Sequence, residues 1–206
     1  MARQERAEQT RKAILDAAAS RIDAAGFLGA SLSDILTEAG VTKGALYFHF
    51  KSKEELADAL VHEQFTVWEP LADLANPGLQ TVIDLTQNMA HSLRTNVRVR
   101  AAIRLVIEQG SFVTPAASAY KQWIDTIHGC LLAAKAAGDL RKDVNPHELA
   151  QHVVGAFSGI QLSSQVLTDR TDLHERATFM WRLILSAVVP PRRMHRFNPE
   201  GSGQGE

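Results

Sequence analysis

The run Gly40-Val41-Thr42-Lys43-Gly44-Ala45-Leu46-Tyr47-Phe48-His49-Phe50-Lys51-Ser52-Lys53-Glu54-Glu55-Leu56 constrains this chain more than any other stretch. Gly40 suits the left-handed backbone that ends a helix. Thr42 is a good N-cap two residues later. Ser52 with Glu55 makes a capping box, and Leu56 opens the apolar face of the helix that follows. Between these two start signals there is room only for a very short helix. It places two aromatics and a histidine among its exposed polar groups, a costly choice for a plain connector. A helix that short, presented between two others, reads as the recognition helix of a helix-turn-helix.

Charge and composition fit that reading. The net charge is −1, but residues 1–53 hold eight Lys and Arg against six Asp and Glu. Arg3, Arg6, Arg11 and Lys12 cluster at the start, and Lys43, Lys51 and Lys53 flank the short helix. Phosphate contacts need local positive charge, not a basic whole chain. A hydrophobic content of 45% in 206 residues is ample for one large or two small domains. No apolar run approaches the ~18 residues of a membrane span, and the charged N-terminus lacks a signal peptide's apolar segment. The single cysteine, Cys130, gives no disulfide framework and suits a reducing cytoplasm, where it is expected to be a buried, inert thiol.

Helical periodicity runs through the whole chain. Ala13, Ile14, Ala17, Ala18, Ile22 and Ala25 mark a first helix that Gly26 stops, and Ser31 caps a second that Gly40 ends. A fourth helix spans about 52–68 with Leu56, Leu60, Val61, Gln64 and Trp68 near one stripe, before a break at Pro70 and Asn76-Pro77-Gly78. Five more follow, at about 79–93, 98–109, 116–137, 145–166 and 172–188. Gly138 is expected to cap the third of these. Asn145-Pro146-His147-Glu148 opens the fourth, and Asp172 with Glu175 caps the fifth. The expected fold is all-α with about nine helices: a head at 1–53, a body at 54–197 and a disordered, Gly-rich tail at 198–206.

The segment Gly40–Leu56 resembles the DNA-binding segment of the TetR family of bacterial repressors. It is similar in particular to the γ-butyrolactone autoregulator receptors, which sense diffusible lactone signals in antibiotic-producing actinomycetes. Met1-Ala2-Arg3-Gln4, Arg6-Ala7, Thr10-Arg11 and Leu93-Arg94-Thr95-Asn96-Val97 are similar to the same branch. The resemblance implies DNA contacts from Thr42, Lys43, Gly44, Tyr47 and His49. Lys43 would read base edges, while Tyr47, His49 and Lys53 hold phosphates, supported by Arg3 and Arg6. Leu46 and Phe50 are assigned to packing. The same resemblance places Trp123 in a ligand pocket, where an indole offers a flat apolar wall and one N–H donor. Gln64 is a candidate polar contact there, and Met89, Ile107, Ile127 and Phe157 are candidate walls.

The two long C-terminal helices carry apolar residues on more than one face, which predicts a homodimer through Val154, Gly155, Leu162, Phe179 and Leu183. Gly155 and Gly159, four apart on a helix, would allow close approach. A two-fold dimer doubles the contacts of one short recognition helix and requires a pseudo-palindromic double-stranded operator. The expected function is therefore a repressor released from DNA by a γ-butyrolactone-type signal, with no cofactor, metal, catalytic residue or membrane partner. One alternative is a pseudo-receptor that answers to antibiotics or their intermediates. Another is an all-α enzyme or metal protein built on His147, Glu148 and His152. Those histidines stand five apart, however, and fall on different helix faces. Gly155-Ala156-Phe157-Ser158-Gly159 likewise has its serine one place late for a nucleophile elbow, and no strand precedes it.

Overall fold

The computed structural model describes residues 2–66, 77–108 and 117–203. Among them are nine α-helices and no strand. They are α1 (Ala2–Gly29), α2 (Leu32–Ala39), α3 (Lys43–His49), α4 (Lys53–Thr66), α5 (Leu79–Thr95), α6 (Val97–Ile107), α7 (Ala117–Ala136), α8 (Pro146–Thr168) and α9 (Leu173–Val188). A 3-10 turn, Pro191–Arg196, follows. Trp68, Pro70, Gly110 and Pro115, which the sequence places in breaks or helix ends, lie outside the described residues.

The chain forms two compact units. The first gathers α1 to α4 with α6, so it is larger than the 1–53 head expected from sequence. Its core is built from Ile14, Leu15, Ala18 and Ile22 of α1, Ile35 of α2, Leu46 and Phe50 around α3, Leu56 and Leu60 of α4, and Ala101 and Leu105 of α6. The reason is geometric. A helix as long as α1 presents more apolar surface than α2 to α4 cover, and α6 lies along the remainder. Charged pairs fix its register: Arg98 to Asp16 and Arg100 to Asp23, both at 2.7 Å. Gly26 breaks α1 as expected, with φ 74° and ψ 175°. The positive φ demands glycine there, and a Cβ would in addition push aside the Glu108 carboxylate, 2.8 Å away. Into this break Phe27 donates its backbone N–H to Glu108 Oε2 at 3.0 Å.

The second unit contains α5, α7, α8, α9 and the C-terminal segment. Gly138 caps α7 at φ 72°, with Asp139 N donating to Ala134 O at 2.9 Å. Asn145 Oδ1 accepts from His147 N at 3.0 Å and starts α8, with Pro146 in its first turn. Asp172 behaves differently from the expected cap. It makes no cap bond to α9. Its carboxylate instead accepts the hydroxyls of Ser164 at 2.6 Å and Thr168 at 2.7 Å and pairs with Arg176, which locks the α8–α9 turn. Trp181 is fully buried and donates its indole N–H to Thr86 Oγ1 at 2.6 Å, joining α9 to α5. Cys130 is buried, and burial pushes its thiol pKa up.

The tail corrects the sequence reading. Residues 198–203 are held along α5 rather than free. Asn198 N donates to Gln80 Oε1 at 2.8 Å, Pro199 O accepts from Gln87 Nε2 at 2.8 Å, and Ser202 N donates to Asp84 Oδ1 at 2.8 Å. Arg193 and Arg196 both reach Asp139 and anchor the turn before it. Composition suggested disorder, but Gln80, Asp84 and Gln87, at helical spacing on α5, supply partners for this segment, and Asn198 bonds Glu200 N and Gly201 O within it.

Candidate nucleic-acid interface and sensor residues

Local chemistry presents α3. Gly40 sits at φ 65°, and Val41 N donates to Leu36 O at 3.2 Å, so α2 ends abruptly. Thr42 Oγ1 accepts from Ala45 N at 3.2 Å, which leaves its hydroxyl proton available to an outside acceptor. Leu46 and Phe50 are buried in the first unit's core and fix which face turns outward. Ser52 Oγ then accepts from Glu55 N at 3.2 Å, and Glu55 Oε2 accepts from Lys51 N at 2.6 Å. The expected capping box is present, with its return bond one residue earlier than usual.

The outward face carries Thr42, Lys43, Gly44, Tyr47 and Phe48, all exposed. Lys43 Nζ lies 5.8 Å from the centre of the Tyr47 ring. A Cβ on Gly44 would meet only Thr42 Oγ1, at 3.9 Å, so nothing inside the chain requires a glycine there. His49 is half-buried, edge-on to Phe48 at 5.0 Å. Phe48 is 79% exposed, and the sequence reading passed over it. Its signal was an aromatic that neither apolar position of so short a helix could bury. Arg6 is exposed on α1, while the side chain of Arg3 lies outside the described residues.

Lys53, expected to hold a phosphate, also has a partner within the protein. Its ammonium donates to Phe27 O in the last turn of α1 and stands 4.3 Å from the centre of the Phe27 ring. Carbonyls at a helix C-terminus and an aromatic face both attract a cation. Burial lowers its pKa, opposed by the neighbouring Glu54 carboxylate. Lys53 therefore ties α4 to α1 and positions α3 indirectly.

The proposed sensor residues separate. Met89 on α5 and Trp123 and Ile127 on α7 are buried in the second unit, and Phe157 on α8 is half-buried there. Trp123 stacks edge-on with Tyr120 at 5.3 Å. Ile107 belongs to the first unit and is partly exposed at the end of α6. The Gln64 side chain lies outside the described residues.

The proposed dimer residues divide as well. Gly155, Leu162, Phe179 and Leu183 are exposed, and the space where a Gly155 side chain would project is open. Val154 is buried within its own protomer, because it lies one position round the helix from Gly155 and faces inward. The sequence reading missed Val166. It continues the exposed stripe Gly155, Gly159, Leu162 and Val166 along one side of α8. The His/Glu helix start forms no metal centre: His147 stacks on His128 at 5.1 Å, and no metal-competent group of three His, Cys, Asp or Glu occurs among the described residues. No helix among those residues is long and apolar enough to cross a membrane.

Two stretches of the chain match known sequence families. Residues 14–60 match bacterial regulatory proteins of the tetR family, and residues 76–190 match the tetracyclin repressor-like C-terminal domain. The A-factor receptor protein of Streptomyces griseus is 40% identical over 201 residues, 98% of this chain and 71% of the relative. The solved structure of CprB from Streptomyces coelicolor in complex with its operator sequence is 32% identical. It superposes with a TM-score of 0.81 over 93% of this chain and 94% of that one. A solved gamma-butyrolactone receptor, an ArpA-like protein, is 30% identical with a TM-score of 0.77, covering 92% and 93% of the two chains. An outward recognition helix, matches to both halves and identity along nearly the whole length lead to one assignment: the chain belongs to the tetR family of bacterial regulatory proteins, DNA-binding regulators of transcription and not enzymes.

Proposed function

We propose that this protein is a homodimeric repressor that docks α3 of each protomer into a pseudo-palindromic operator and lets go when a γ-butyrolactone-type signal binds. The observation that carries the DNA half is the outward face of α3. It combines a cation at the helix start, a glycine with no internal reason to be one, and an aromatic left in water. Lys43 reads a base edge in the major groove. Thr42, Tyr47 and His49 hold phosphates, and Phe48 offers an apolar face to a thymine methyl. Arg6 adds charge from α1.

The dimer reading rests on the stripe of α8 with Phe179 and Leu183 of α9, more apolar surface than a solvated face retains. The small Gly155 and Gly159 let two copies approach closely. Induction follows from linkage: a signal that binds better to the protein off DNA must weaken operator binding by the same coupling free energy. The lactone class is supported by the similarity to a solved gamma-butyrolactone receptor and by buried side chains of the second unit. Trp123, Ile127 and Met89 are buried aromatic and aliphatic side chains, of the kind that suits an alkyl-bearing lactone. Action on operator DNA is in keeping with a cytoplasmic location.

The test is a mobility-shift titration of the chain's own upstream DNA, with and without a synthetic γ-butyrolactone. A shifted band that the lactone dissolves is expected. A complex that lactones leave intact but an antibiotic extract dissolves would make it a pseudo-receptor instead.

A further inference from the structure

We propose that Glu108, the residue that ends α6, is a positioning residue for operator binding: by holding the Phe27 peptide at the break in α1 it seats Lys53, and through Lys53 it sets the pose of α3. Gly26 creates the need. In an unbroken helix the Phe27 N–H would donate to the Asp23 carbonyl. At the break both groups have partners on α6. Glu108 Oε2 accepts from Phe27 N at 3.0 Å, and Arg104 donates to Asp23 O at 2.6 Å. Arg104 and Glu108 stand one turn apart and pair with each other at 2.6 Å, so each side of this clasp orients the other.

The other side of the same residue holds Lys53. Phe27 O accepts from the Lys53 ammonium, and the centre of the Phe27 ring lies 4.3 Å from it. Lys53 is the first residue of α4 and follows directly on Ser52, whose bond from Glu55 N, with that of Lys51 N to Glu55, closes the turn out of α3. Leu46 and Phe50, as core residues, fix which face of α3 points outward. Lys53 fixes where its C-terminal end is tied. Phe27 therefore joins α6 to the exit of the recognition helix, and every residue of this chain of contacts lies in the first unit. Without the Glu108 carboxylate the segment can turn about Gly26, whose backbone is the freest of any residue, and Phe27 then leaves Lys53. Base readout depends on hydrogen-bond geometry, whereas attraction to phosphates is tolerant of it. A misplaced α3 therefore loses specific binding before it loses non-specific binding.

The inference rests on the reading of α3 as the helix that enters DNA, and the experiment separates the two. Full-length wild type, Glu108→Gln and Glu108→Asp are melted, then titrated at one fixed temperature on the chain's own upstream DNA and on a scrambled duplex. Glutamine keeps the reach and the acceptor but loses the charge. Aspartate keeps the charge and falls one carbon, about 1.5 Å, short of Phe27. Glu108→Gln should match the wild type, because the partly exposed ion pair with Arg104 contributes little. Glu108→Asp should bind the upstream DNA at least ~10-fold more weakly, a loss of the size one base contact carries, with scrambled-duplex binding and salt dependence unchanged. Lys53→Met should also lose specific binding, and adding Glu108→Asp to it should cost little more, since both act through Phe27. The proposal is overturned if Glu108→Asp keeps full affinity, weakens on both duplexes alike, or melts below the assay temperature. It is equally overturned if Glu108→Gln is the weaker variant, which would make charge the active property, or if the Lys53 and Glu108 losses add in full. If the wild type prefers its upstream DNA no more than the scrambled duplex, the reading of α3 fails and takes this inference with it.

Discussion

Replacing Phe179 by alanine tests the dimer most directly. The ring is 61% exposed in the protomer. An aromatic side chain carries on the order of 200 Å² of surface, so about 100 Å² of apolar area should be left to bury between copies. At about 25 cal/mol per Å² this contributes ~2.5 kcal/mol per protomer as an upper bound. A two-fold interface contains the residue twice, so the dimer should weaken by up to ~5 kcal/mol, or between three and four orders of magnitude in Kd, at ~1.4 kcal/mol per tenfold. Sedimentation over a dilution series from micromolar to nanomolar should show Phe179→Ala dissociating where the wild type remains paired. The protomer should keep its helical signal, because the ring is not part of its own core. A variant as tightly dimeric as the wild type would refute the placement of the interface on α8 and α9.

Lys43→Ala should cost about 1–3 kcal/mol of discrimination at one base position. Equal loss on operator and scrambled DNA, with a shallower salt dependence, would make it a phosphate contact. Trp123→Ala should retain operator binding and lose release by lactone. If the indole serves only as core packing, the variant instead loses ~3–5 kcal/mol of stability and binds operator poorly even without ligand. Gly26→Ala should lower the melting temperature, since a side chain at φ 74° is strained by ~1–3 kcal/mol before its clash with Glu108 is counted; an unchanged melt would show that the break in α1 relaxes freely. Hydrogen bonds from Ser164, then Thr168, hold the Asp172 pKa down to about 2, below its ordinary 3.8. The unfolded chain therefore takes up a proton first as pH falls. The stabilisation is complete above pH 3.8 and is lost on approaching pH 2. Asp172→Asn should flatten acid unfolding in that window, and an identical acid limb in both proteins would contradict the assignment.

The sequence by itself determined what is local. The turn at Gly40, the caps at Thr42 and Asn145, the Ser52–Glu55 box and the helical periodicity all depend on bonds between residues within a few positions of one another. Residue type alone states these, and with them the short helix and its exposed Lys43 and Tyr47. Tertiary structure decided what depends on distant partners. Nothing in the sequence around Lys53 shows that Phe27 O would take its ammonium, because the break at Gly26 brings that carbonyl within reach. Nothing in α6 alone shows that Arg98 and Arg100 match Asp16 and Asp23 and so enlarge the first unit. Adjacent Val154 and Gly155 look alike in an apolar pattern, yet about 100° of helix rotation puts one inside and the other at the surface. Residues 198–203 read as disordered by composition, and distant partners on α5 hold them. Gln161 is an ordinary polar residue in the sequence, and only the fold buries it.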